Sequence, residues 1–144
     1  DLDKLEASLR KVAKDDNKPV MVVGSRYWLE VEANVTRTPF RKFLMHGFRL
    51  LVQTLCATGV KDTQCGFKLF NREAARLLFP VQHIENWAFD VELLYLAGRV
   101  GVEVQEKSVQ WEEIEGSKLD LRAPLDMLRD IILIRLCYTF GIWQ

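Results

Sequence analysis

Leu2, Leu5, Leu9 and Val12 recur at three- and four-residue intervals, the stripe of a helix entered at Asp3 and running to about Lys14. The polar cluster Asp15 to Lys18 and Pro19 end it. Val20 to Val23 is a short continuous apolar run, which predicts a buried strand stopping at Gly24. From Ser25 to Thr38 the periodicity fails, and an irregular loop with a short helix near Trp28 is expected. Pro39 suits a first helical position. Beyond it Phe40, Phe43, Leu44, Phe48, Leu51 and Leu55 keep helical spacing to about Ala57, and Gly59 closes that helix.

A strand over Gly66 to Phe70 follows, then a helix over Arg72 to Leu78, capped by Asn71 and ended by Pro80. Ala88 to Arg99 reads as a helix with Phe89, Leu93, Leu96 and Val100 on its apolar face. Val102 to Gln105 and Lys107 to Trp111 form two short strands or one bent strand. A last helix covers 124–140, starting at Pro124. Strands alternating with helices predict an α/β fold, a mixed sheet flanked by helices, within one domain. No repeat and no low-complexity segment interrupts it.

Composition narrows the function classes. The 144 residues include 20 basic and 20 acidic side chains, so no global field draws nucleic acid and any anion site must be local. Three cysteines without a C-x-x-C pair argue against a disulfide framework or a structural zinc site. The sequence holds no uninterrupted apolar run of about 18 residues, the length that marks a candidate membrane span. Asn34-Val-Thr36 matches the glycosylation sequon, a spelling common by chance.

Asp62-Thr-Gln-Cys-Gly-Phe-Lys-Leu-Phe70 concentrates the candidate chemistry. An acid, an amide, a thiol, a glycine and a lysine before an apolar pair suit a turn where backbone approaches a ligand. Asp62 serves there as a catalytic or charge-stabilising carboxylate, or caps the turn. Gln64 can both donate to and accept from sugar hydroxyls. Lys68 reaches phosphate if its strand orientation permits, while Cys65 reads as a small packing residue. Arg26, after Gly24 and Ser25, stands outside a strand's carboxyl end, where open α/β sheets gather ligands. Its guanidinium can fork onto phosphate oxygens or pair on the surface. Arg41 opens a helix, where a cation opposes the macrodipole unless an anion relieves it. Asp90 and Glu92 lie about 200° apart around a helix, so one reaches a ligand while the other is structural. Trp87 walls a sugar or lipid or joins the core. Ser117 and Lys118, after Gly116, offer backbone N–H groups and a mobile cation to a phosphate.

Three stretches in this order, Asp62 to Phe70, Trp87-Ala-Phe-Asp-Val-Glu-Leu-Leu94 and Trp111-Glu-Glu-Ile-Glu-Gly-Ser-Lys118, resemble the dolichyl-phosphate β-glucosyltransferases. These belong to the inverting GT-A glycosyltransferases with polyprenyl-phosphate acceptors, and the resemblance runs over essentially the whole chain. It implies the C-terminal, acceptor-side part (1–144) of one GT-A domain, with the N-terminal nucleotide-binding half and a membrane anchor outside this sequence. It implies transfer of glucose from UDP-glucose to dolichyl phosphate for protein N-glycosylation, at the cytosolic face of the endoplasmic reticulum membrane. Mg2+ or Mn2+ would offset diphosphate charge, held by an Asp-x-Asp motif that precedes this segment; Asp1 and Asp3 read as helix-entry residues, and no metal ligand is expected in this chain. Arg26, Arg41 and Lys118 are implied phosphate contacts. The helix over 124–140 faces a membrane surface or closes the core. The alternatives are another polyprenyl-phosphate hexosyltransferase, such as a mannosyl transferase, and a noncatalytic anion- or lipid-binding module. No nucleic-acid partner is implied.

Overall fold

A computed structural model describes residues 1–13, 17–27, 39–56, 59–110 and 123–143, without the side chains of 39–45, 123 and 124. Its order is α1 (Leu2–Val12), β1 (Val20–Ser25), α2 (Pro39–Cys56), β2 (Lys68–Phe70), α3 (Arg72–Leu78), a 3-10 turn (Phe79–Val81), α4 (Phe89–Val100), β3 (Glu103–Ser108) and α5 (Ala123–Thr139). The expected α/β class holds: a small mixed sheet, order β2-β1-β3, is flanked by helices. β1 is central and buried along its length, which explains its unbroken apolar run. It pairs antiparallel with β2, Val23 against Lys68, and parallel with β3 from Val20–Glu103 to Ser25–Ser108.

Alternation along β1 divides the core. Val22 meets α1 through Leu5, with Cys65 and Val109 completing that layer. Met21 and Val23 face the larger layer, with Val52 of α2, Leu78 of α3, Leu94 of α4 and Ile134 of α5. Cys65 is thus a packing residue.

Several boundaries differ from the pattern. The first helix begins at Leu2, not after an Asp3 cap, because the Asp1 carbonyl already accepts from Lys4 N and Leu5 N. It ends at Val12, where Ala13 N closes onto Leu9 O. β2 is shorter than Gly66 to Phe70, since only Lys68, Leu69 and Phe70 register against β1. The segments expected from Val102 to Gln105 and from Lys107 onward give one strand, Glu103–Ser108, because β1 offers an unbroken parallel partner over that length; Trp111 lies outside the described residues. On α4, Phe89 and Val100 are exposed while Val91, Leu94 and Ala97 are buried beside Leu93 and Leu96. That helix packs against α2, α3, α5 and β3, so its buried arc is wider than one stripe. Asn71 caps α3 as expected, its Oδ1 accepting from Ala74 N at 2.9 Å. The helix expected near Trp28 and the sequon lie outside the described residues.

Candidate active site at the carboxyl end of the central strand

Ser25 ends β1, and Arg26 turns at once onto the 61–66 loop. Its Nε donates to Asp62 Oδ2 at 2.8 Å and its Nη2 to Oδ1 at 3.0 Å, a bidentate fork. Arg26 N adds a third bond, 2.9 Å to Oδ2. Asp62 is nearly covered while the Arg26 side chain keeps 27% exposure. Burial alone would raise the Asp62 pKa, but the bonds and charge of Arg26 outweigh it and hold the carboxyl below the usual aspartate range.

The loop is tied down from three sides. Lys68, its side chain only 3% exposed, donates through Nζ to Cys65 O at 2.6 Å and reaches Thr63 O at 3.4 Å. It also lies 2.8 Å from Asp90 Oδ1, close as an ion pair but not aligned as a hydrogen bond. Lys68 is therefore turned inward, onto backbone and Asp90. Burial raises the Asp90 pKa; Lys68 pulls it partly back and the charge of Asp62 pushes it further up. From β3, the Glu106 carboxylate accepts Lys61 N and Asp62 N. Gly24 N donates to Phe67 O at 2.8 Å, bringing the loop's far end against the strand.

Asp90 and Glu92 take different partners, as their angular separation requires. Glu92 is fully buried and accepts from His83 N, Ile84 N and Tyr138 Oη, a structural set away from Lys68. Gln64 donates through Nε2 to Met127 Sδ of α5 at 3.7 Å. Trp87 is 69% exposed just before α4. Arg41 falls within α2 with its side chain outside the described part, and Ser117 and Lys118 also lie outside the described residues. The structure thus brings Arg26, Asp62, Lys68 and Asp90 together and leaves the proposed meeting with Arg41 and Lys118 undescribed.

Two features escaped the sequence. Arg49 of α2 and Lys61 each stand 5.0 Å from the ring centroid of Tyr27, the residue after Arg26. Glu106 shares a strand face with Val104, which packs on the core. A carboxylate on an inward-facing position was the available signal, because it calls for buried donors. Among the described residues no three His, Cys, Asp or Glu side chains form a cation site, and Asp62 and Asp90 are each committed to a cation of the chain.

The chain is 49% identical to the dolichyl-phosphate beta-glucosyltransferase of Dictyostelium discoideum over 146 residues, covering 100% of the chain and 44% of that relative. The Homo sapiens protein of the same name is 48% identical, with 100% and 45% covered. The Saccharomyces cerevisiae one is 39% identical over 151 residues, again with 45% of the relative covered. The chain thus spans a little under half the length of these relatives. No protein-family model and no solved structure matches it. Over its whole length the chain is similar in sequence to part of these dolichyl-phosphate beta-glucosyltransferases.

Proposed function

We propose that this chain forms the acceptor-side part of a dolichyl-phosphate β-glucosyltransferase, moving glucose from UDP-glucose to dolichyl phosphate with inversion at the cytosolic face of the endoplasmic reticulum membrane. The observation that carries this reading is 49% identity along the whole chain to a relative bearing that name. The site chemistry supports it. A lipid phosphate monoester has a second pKa of about 6, so the acceptor arrives ionised and needs no strong base. What remains is to position two anionic partners and stabilise the departing diphosphate. The partial exposure of the Arg26 side chain supports this reading, in which its fork exchanges one carboxylate oxygen for a phosphate oxygen. Asp62, kept ionised, faces the positive charge that develops at the sugar carbon.

Arg41, Ser117 and Lys118 complete the phosphate contacts in this reading, and Gln64 takes a sugar hydroxyl. Lys68 acts indirectly, fixing the loop and Asp90. Mg2+ or Mn2+ remains the expected partner of the diphosphate, and the described acids build no site for it. The membrane surface meets α5, where Leu125, Ile132, Leu136 and Phe140 are exposed along one side. None of the described helices is long and apolar enough to cross a bilayer, so this contact is interfacial.

The test replaces the matched segment of the Dictyostelium discoideum relative with this chain. The chimera is expected to make dolichyl-linked glucose from UDP-glucose, and R26A or D62N to lower turnover by about 10²-fold or more. A chimera of normal abundance that transfers no glucose, or prefers a mannosyl donor, overturns the reading. The 144-residue chain alone is expected to form no product.

A further inference from the structure

Glu106 belongs to none of the motifs above, yet it governs the geometry of the central pair. It sits on β3 opposite Val23 of β1. Its Oε1 accepts Lys61 N at 3.1 Å and Asp62 N at 3.0 Å, while Oε2 lies 3.2 Å from Lys61 N. Two successive N–H groups converging on one anion fix the direction of the peptide that joins them. That peptide carries the Asp62 Cα, so its orientation decides where the carboxylate meets Arg26. Arg26 then reads the result through three bonds, one from its own backbone at the end of β1.

We infer that Glu106 is a positioning residue that holds Asp62 in register with Arg26, a role that rests on the reading of this pair as the reacting site. Strand position alone does not ask for a glutamate, since this residue type is depleted in strands and its charge is costly to cover. An apolar side chain of the same size would leave two N–H groups without their acceptor. Aspartate keeps the charge but is one methylene too short to reach both. Glutamine keeps one acceptor oxygen and replaces the other with a donor.

Two measurements test this. In the 144-residue chain, NMR follows amide exchange at Lys61 and Asp62 and titration of the Asp62 carboxyl in wild type, E106D and E106Q. If Glu106 positions the loop, both variants speed exchange at these two amides. Both also move the Asp62 pKa upward, toward about 3.9, as the Arg26 fork loosens. Charge alone predicts otherwise: removing a nearby anion in E106Q lowers the Asp62 pKa, and E106D leaves it in place. That pattern, or unchanged exchange at Lys61 and Asp62, overturns the inference. E103Q, on the same strand but paired with Lys18, leaves Asp62 unmoved. If E106D loses its dispersed spectrum, E106Q decides alone. In the chimera described above, both variants are expected to lower kcat about tenfold with KM within about twofold. An unchanged kcat overturns the role in turnover. A chimera that is inactive with the wild-type segment defeats the functional reading instead, and the NMR outcome still decides the positioning.

Discussion

The Tyr138 phenol lies 2.8 Å from Glu92 Oε1, joining α5 to α4 across 46 positions of sequence. The same carboxylate accepts His83 N at 3.0 Å and Ile84 N at 2.6 Å, so a fully buried charge is matched by backbone and phenol donors. Trp143 stacks on His83 with centroids 4.5 Å apart, and Arg99 lies over the Tyr138 ring. Burial, then the Glu92 bond, raise the Tyr138 pKa, so the phenol stays a donor at any working pH. Y138F is expected to cost about 1–3 kcal/mol, read from urea unfolding. E92L, which strands His83 N and Ile84 N and leaves the phenol only the Val81 carbonyl at 3.1 Å, should cost more than Y138F. Equal or smaller loss in E92L would show that the carboxylate does not organise this junction.

The Arg26–Asp62 fork makes stability depend on acid in a defined direction. Asp62 titrates below its unfolded value, so its contribution is complete above about pH 4 and is lost as pH falls through the lower folded value. D62N is expected to remove this part of the acid slope, and R26A to reduce it. R26A is also expected to destabilise by about 1–3 kcal/mol near neutrality, because it strands a mostly buried carboxylate. Unfolding curves from pH 2 to 7 check both. An acid slope that D62N leaves unchanged would place the titration elsewhere.

Asp90 runs in the opposite sense. Its raised pKa means the folded state holds a proton more tightly than the unfolded chain, so its contribution is present in acid and fades as pH rises through the folded value. D90N is expected to abolish that downward component above about pH 4. K68M removes the attraction that partly restrains Asp90, so the Asp90 carboxyl should titrate still higher. Side-chain carboxyl NMR on K68M reads this directly, and an unmoved Asp90 would contradict the pairing.

Much of the fold was legible because single residues carried strong local rules. Pro39, the Asn71 cap and the unbroken run Val20 to Val23 each fixed an element, and the structure returns all three. The 200° argument likewise separated Asp90 from Glu92 before either partner was visible. What sequence could not yield was pairing between distant segments. Arg26 and Asp62 were singled out for separate tasks, yet 36 positions apart they neutralise each other. Lys68 reads as an available cation until β2 pairing turns it onto Asp90. For Glu106 the strand alternation with Val104 marks an inward-facing carboxylate, but its partners are backbone amides of a loop more than 40 residues away, which no local window reveals.

At Gly24 the central strand lies close against the end of the candidate loop, which offers a sharp test of how the site is held. A methyl group there would stand 3.0 Å from Val109 Cγ1, 3.2 Å from Cys65 Sγ and 3.2 Å from the carbonyl oxygen of Phe67. Val109 can shift, but Phe67 O is already bonded to Gly24 N at 2.8 Å and moves only with its backbone. G24A is therefore expected to cost about 1–3 kcal/mol by overpacking. It should also push the 61–66 loop outward, weaken the Arg26 fork and raise the Asp62 pKa. Gly66 supplies the comparison, because it is exposed and a methyl added there meets nothing within 4 Å. G66A is expected to stay within about 0.5 kcal/mol of wild type. If the two substitutions prove equally mild, the close approach at Gly24 does not hold the loop, and the geometry of Asp62 must depend on Lys68 and Glu106 alone.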